Sequence, residues 1–187
     1  MSREERKPER LLNAVARRRT LLLVILPLIG MLVAEPRPAL YLVGVLAVVA
    51  GQAVRFWAAG YIVKATQLTT TGPYAHVRNP LYLGSLLITL GWGTMSGRLV
   101  VAVLLLAVFA LTHALAIRSE ESYLGERFGE EFHAYCRQVP RLFPRLRPGT
   151  SGSGDYSWRR ALQCDGEGWT SLGVAALAGL YATRFWW

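Results

Sequence analysis

Charge is what this sequence has least of. Only 18% of its 187 residues are Asp, Glu, Lys or Arg, against about a quarter in soluble domains. Lysine is nearly missing, so arginine supplies 19 of the 21 basic side chains, and the acids number 12. Cysteine occurs twice, at Cys136 and Cys164, which excludes a disulfide framework and a four-thiolate zinc site. So little charge excludes a disordered chain and argues against a soluble globule. The net charge of +9 does not point to nucleic acid as a partner, because the arginines stand beside apolar runs. The preference for arginine over lysine fits a GC-rich bacterial genome.

Hydrophobic residues make up 52% of the chain and are gathered into runs. A bilayer core of about 30 Å calls for roughly 20 helical residues. Five segments approach that length. They are Thr20 to Ala34 (kinked at Pro27), Ala39 to about Tyr61, Pro80 to about Met95, Leu99 to Ile117, and Trp169 to Trp187. The first follows Arg17, Arg18 and Arg19 like a secretory signal, but Leu32-Val33-Ala34 lacks the cleavage pattern, so it reads as a retained anchor. The fold class expected is all-α, an integral membrane helical bundle of about five transmembrane helices with a cytoplasmic helix and loops.

Charge sets the orientation. With the N-terminus cytoplasmic, segments 1–20, 55–79 and 118–160 lie inside and hold 18 of the 21 Lys and Arg residues. Only Arg37, Arg98 and Arg184 remain outside, which is the positive-inside pattern, here of a bacterial inner membrane. The outer loops are short, and Gly97 predicts a tight turn that makes the third and fourth runs an antiparallel hairpin. Three regions follow: a basic cytoplasmic segment 1–19, a core 20–148, and a tail 149–187. The tail holds a Gly/Ser linker, an interfacial helix at Ser157–Leu162 and the last apolar run, which either crosses the bilayer or rests at the outer interface.

Three cytoplasmic features bear chemistry. The loop before Pro80 places two Tyr, a His, an Arg and an Asn within nine residues, Tyr74 to Tyr82, which is dense for a loop that only anchors the chain. Glu120 and Glu121 follow the fourth run at the membrane boundary, where carboxylates suggest a site, although a helix start also favours acids. From Ser119 to about Gln138 the pattern predicts one helix with an apolar stripe at Phe128, Phe132 and Tyr135, ended by Val139-Pro140. His133 and Cys136 have ligand-like spacing, but zinc needs three or four protein ligands, so no metal is expected. His113, within the fourth run, reads as a packed residue.

The order of these features resembles the isoprenylcysteine carboxyl methyltransferase and phospholipid methyltransferase superfamily of integral membrane methyltransferases. There a G-x-Y-x-x-x-R-H-P-x-Y-x-G loop is followed, after a hairpin, by a Glu pair, then F-G-E-E-Y and V-P. Here the matching stretches are GPYAHVRNPLYLG and EESYLGERFGEEFHAYCRQVPRLFP, over about Gln67 to Pro144. Asn79 departs from the pattern, standing where the family has a His that faces the cofactor. Asn donates and accepts hydrogen bonds but does not titrate.

The resemblance implies S-adenosylmethionine as cofactor and a lipid-borne or hydrophobic methyl acceptor, such as an isoprenylcysteine-type carboxylate or a phospholipid amine. It implies cofactor contacts from Gln67, Leu68, Thr69, Tyr74, Asn79, Pro80, Leu81, Tyr82 and Glu120, with Glu121 beside them. It offers Arg78 and Arg118 as the residues that touch the acceptor. A sulfonium and an ammonium favour carboxylates and aromatic faces, which Glu120, Tyr74 and Tyr82 supply. Two other readings stay open at this level. One is a sterol-reductase-like NADPH enzyme, whose fold needs more spans, and the other a non-catalytic membrane scaffold. A Tyr82–Glu120 pairing divides them, since a scaffold does not require it.

Overall fold

The computed structural model describes residues 25–63, 67–163 and 167–186. The basic segment 1–19, the start of the first apolar run, Lys64, Cys164 and Trp187 lie outside them. Within them every regular element is helical. In chain order they are α1 (25–32), α2 (Pro38–Tyr61), a 3-10 turn (Gly72–Ala75), α3 (Pro80–Met95), α4 (Leu99–Phe128), α5 (Glu130–Gln138), α6 (Trp158–Gln163) and α7 (Glu167–Thr183).

Prolines start the two helices that pack most closely. Pro38 and Pro80 occupy first helical positions, where the missing N–H leaves no orphan donor and φ is already set. Four glycines then bring α2 and α3 together. A Cβ on Gly44 would lie 2.6 Å from the Gly91 carbonyl oxygen, and one on Gly51 would lie 2.5 Å from that of Gly84; the converse holds at Gly84 and Gly91. Gly44 and Gly51 are seven residues apart on α2, as are Gly84 and Gly91 on α3, two helical turns in each case, so both contacts fall on one face. Small residues of this kind let membrane helices approach backbone to backbone.

Gly97 turns the chain between α3 and α4 at φ +65°, a value glycine adopts without strain. Ser96 caps the turn by donating to the Gly93 carbonyl at 2.6 Å. The 34–37 loop meets this turn: Glu35 N–H donates to the Ser96 carbonyl at 2.8 Å, and Glu35 pairs with Arg98. α7 returns alongside α1 and α2, with the Tyr181 hydroxyl donating to the Pro27 carbonyl and the Tyr41 hydroxyl to that of Ala178. The core between these helices holds Val48, Trp92, Met95, Val101, Leu105 and Tyr181. The short turns thus share one end of the bundle, and the polar segments 67–79 and 139–157 share the other.

Two helices, α2 and α4, are long and apolar enough to cross a membrane. Only 17% and 28% of their most apolar stretches are buried by protein, so they are not the core helices of a soluble fold. Leu42, Leu46, Leu104 and Leu111 face outward. α3 and α7, with 16 and 17 residues, are shorter than an independent span.

The helix expected from Ser119 to Gln138 is two helices, and its first part is not separate from the fourth span. α4 runs unbroken from Leu99 to Phe128, because no Pro interrupts the passage from apolar to polar sequence and Gly125 keeps a helical backbone there. The break comes at Gly129, φ +51°, which re-aims α5 so that Phe132, Tyr135 and Val139 pack under Leu124, Phe128 and Leu68.

Candidate functional site

The site is assembled where the loop before α3 meets the far end of α4. The loop is shaped locally by Gly72, φ +60°, whose missing Cβ leaves room for the Tyr61 ring. It is then tied to the segment after α5. Arg78 N–H donates to the Pro140 carbonyl at 2.8 Å, Arg145 N–H to that of His76 at 3.0 Å, and Gly149 N–H to that of Ala75 at 2.7 Å. From beneath, the buried Tyr135 hydroxyl donates to the Tyr74 carbonyl at 2.7 Å. Burial is the main reason the Tyr135 phenol is pushed well above its usual range, with Arg78 pulling the other way and Cys136 and Glu121 adding to the rise.

The face of α4 that meets α3 carries Val101, Leu105, Phe109, His113 and Ile117 at intervals of four, and Glu121 is the next member. Its carboxylate accepts from Arg141 Nη2 at 2.6 Å and from Asn79 Nδ2 at 3.3 Å, and lies 3.5 Å from Arg78 Nη2. The Glu121 and Arg78 side chains are only 11% and 13% exposed, whereas Arg141 is 53% exposed. Asn79 also donates to the Arg141 carbonyl at 3.0 Å. Its side chain is thereby drawn away from capping α3, although Asn is a favoured N-cap. Glu121 is therefore a clasp joining α4, the loop and the segment after α5.

Glu120 differs. It is exposed, and its Oε2 accepts the Tyr82 hydroxyl at 2.9 Å. Measured from the shared turn, Tyr82 lies about 20 Å along α3 and Glu120 about 32 Å along α4. The gap closes because helical side chains lean toward their own N-terminus, and in an antiparallel pair those directions are opposed. Below them the Tyr82 ring meets the buried His113 edge-on, centroids 5.4 Å apart, and His113 stacks on Phe109 at 3.9 Å. His113 Nδ1 lies 3.1 Å from the Phe109 carbonyl, which can only accept, so in the neutral ring this nitrogen carries the proton.

The structure brings Arg78, Asn79, Tyr82, Glu120 and Glu121 together, with Pro80 buried at the start of α3. The Leu81 carbonyl faces Arg55 Nη1 at 3.4 Å. Gln67 is exposed, Leu68 packs on the α5 cluster, and the Thr69 hydroxyl accepts the Val63 N–H. Tyr74 is buried against α5. Arg118 is exposed on α4 and takes no part in the clasp. Arg141 and Tyr135 are site residues that sequence reasoning did not assign. Arg141 lies in the Val-Pro-Arg stretch, which signalled a helix stop but not that its guanidinium would reach an acid 20 residues upstream. Among the described residues no three His, Cys, Asp or Glu side chains converge as a metal site would require.

The phospholipid methyltransferase family model matches residues 38–131, a range containing α2, the loop, α3 and the acidic pair. The nickel-cobalt-cadmium resistance protein NccN of Alcaligenes xylosoxydans xylosoxydans is 42% identical over 110 residues, 58% of this chain and 51% of that protein. The cobalt-zinc-cadmium resistance protein CzcN of Cupriavidus metallidurans is 41% identical over 111 residues, again 58% and 51%. The protein-S-isoprenylcysteine O-methyltransferase of Schizosaccharomyces pombe is 34% identical over 97 residues, 52% of this chain and 41% of that one. The matched regions span about half the length of these relatives or less. No solved structure matches.

Proposed function

The chain belongs to the phospholipid methyltransferase family, and from that premise we propose that it carries out S-adenosylmethionine-dependent methyl transfer to a lipid-borne or hydrophobic acceptor. The reaction takes place at the membrane face that bears the 67–79 loop, the cytoplasmic face of a bacterial inner membrane by the arginine distribution. The observation that carries the reading is the Tyr82–Glu120 hydrogen bond, set above the Glu121 clasp. A scaffold would have no need to hold an exposed carboxylate in one orientation beside an aromatic ring.

The side chains suit the cofactor. Glu120 offers a carboxylate to an ammonium group, and Tyr82 fixes that carboxylate by donating to one of its oxygens. The Tyr82 ring, backed by the buried His113 and Phe109 rings, offers an aromatic face of the sort that favours a sulfonium. When bound, the cofactor supplies an electrophilic methyl group on sulfur. The chain's own part is alignment and exclusion of water. The clasp holds Arg78 and Asn79 in place, so the acceptor meets a fixed wall. Arg78 is the better placed of the two candidate acceptor-facing arginines, since Arg118 lies outside the clasp.

Two of the relatives are named for metal resistance, and we place the same membrane chemistry in that physiological setting for this chain. The test is direct. Purified protein should bind S-adenosylmethionine, and Glu120→Ala should weaken that affinity about tenfold, the effect of losing one charged hydrogen bond. Radiolabelled methyl should enter the lipid fraction of membranes. Unchanged affinity removes Glu120 from the site, and label confined to water-soluble thiols reassigns the acceptor.

A further inference from the structure

We propose that residues 141–147 form a docking finger that engages the headgroups of anionic phospholipids in the bilayer the protein occupies. Depth is the first argument. Arg141 Nη2 is 2.6 Å from Glu121, and Glu121 is one helical turn, about 6 Å, beyond Ile117, where the apolar run of α4 ends. Arg141 is thus held just above the hydrocarbon edge, and the residues that follow are tethered at headgroup level.

Exposure is the second. Phe143 is 76% exposed and Leu146 is 99% exposed. They are not the tips of a loose loop. The Arg145 N–H and carbonyl are both engaged by His76, at 3.0 and 2.8 Å, and Arg145 Nη1 donates to the Gln138 carbonyl at 2.6 Å. The backbone is held on both sides of each apolar side chain, so the two are presented outward. In water this would be a liability. At headgroup depth, two large apolar groups among arginines are an interfacial anchor.

Charge is the third. No acid occurs between Glu131 and Asp155, while Arg137, Arg141, Arg145 and Arg147 do. Arg141 and Arg145 are spent on Glu121 and Gln138. The exposed Arg137 and Arg147 are the ones that meet phosphates. A segment with this excess of arginine at this depth fits an anionic leaflet.

The test needs neither cofactor nor acceptor, so its outcome is separate from that of the methyl-transfer reading. The full chain carrying photoreactive benzoylphenylalanine in place of Leu146, or of Phe143 as a second position, is reconstituted in nanodiscs of phosphatidylcholine with about one third phosphatidylglycerol. After irradiation, mass spectrometry should find phospholipid adducts in which the ratio of phosphatidylglycerol to phosphatidylcholine is raised roughly fivefold over the bulk ratio, the worth of about one arginine at an anionic surface. Arg137→Gln with Arg147→Gln should return the adducts to the bulk ratio. Adducts at the bulk ratio in the unsubstituted background, or cross-links into residues 67–82 in place of lipid, overturn the proposal; the latter would make the segment a cover over the site.

Discussion

Adjacent acids with opposite duties make a prediction that a single assay cannot imitate. Glu121→Gln keeps the shape of the clasp and removes its charge. The Arg141 contact involves a guanidinium 53% exposed, so its loss costs no more than about 1 kcal/mol. The Arg78 contact is longer, 3.5 Å, but both side chains are nearly buried. A stranded buried charge costs about 3–5 kcal/mol, but Arg78 keeps its hydrogen bond from Nη1 to the Cys136 sulfur and the Gln carbonyl at 121 still accepts, which reduces the loss to about 1–2 kcal/mol. The sum is about 2–3 kcal/mol, or roughly 5–10 °C in Tm for a chain of this size. Glu120→Gln, at an exposed position, should stay within about 0.5 kcal/mol and instead weaken S-adenosylmethionine binding about tenfold. The assays are thermal unfolding in detergent and isothermal titration, run on both variants. A Glu120→Gln protein that melts early and binds normally, beside a Glu121→Gln protein that is stable and fails to bind, would mean the two roles are reversed.

Two further outcomes follow from packing and burial. Gly51→Ala places a Cβ 2.5 Å from the Gly84 carbonyl and should lower stability by about 1–3 kcal/mol, whereas Gly173→Ala, which meets nothing within 4 Å, should be neutral or gain up to about 1 kcal/mol from helix propensity; equal melting temperatures for the two would sink the close-approach account. Because burial raises the Tyr135 phenol in the folded state, its contribution is full below the unfolded value near pH 10 and is lost as pH climbs from there toward the folded value. Tyr135→Phe should flatten that alkaline loss while lowering stability by about 1–2 kcal/mol at neutral pH, since the Tyr74 carbonyl loses its donor; an unchanged alkaline limb, followed by circular dichroism, would assign the loss elsewhere.

Where the sequence could be read and where it could not follows from the range of the forces involved. α3 starts and ends where expected, at Pro80 and Met95, because proline and a Gly-containing turn act locally. Hydropathy alone ends the fourth helix at Ile117, about three turns short of Phe128. Hydropathy marks where lipid stops, but a helix continues until its backbone is interrupted, and the interruption was Gly129, hidden in a run otherwise favourable to helix. The glycine pairs of α2 and α3 stand in plain view at intervals of seven, yet only the facing of the two helices says that Gly44 meets Gly91. The resemblance implies Asn79 as a cofactor contact. That it reaches the Arg141 carbonyl, 62 residues away, depends on α5 folding back at Gly129, which no local pattern contains.

The shortness of α3 leads to a last expectation, about the acceptor. α3 and α4 leave one turn together, and α3 has risen only about 23 Å at Pro80, while the apolar part of α4 reaches about 27 Å at Ile117. The loop before Pro80 therefore sits at the hydrocarbon edge, not beyond it. Polar groups at that depth are expensive unless paired, which explains why Arg78, Asn79, Glu121 and Arg141 bind one another. The same depth selects among acceptors. A group carried by a lipid tail arrives by sideways diffusion with its apolar part still solvated by the bilayer, at no cost in buried area. A water-soluble analogue must leave solvent to reach the same wall. Each methylene of the tail contributes about 0.8 kcal/mol to partitioning, so in reconstituted protein the apparent KM should fall steeply as acceptor chains lengthen from two to eight carbons, roughly fourfold per methylene, with kcat little changed. A KM indifferent to chain length would place the acceptor's path in water and detach the depth of the site from its choice of substrate.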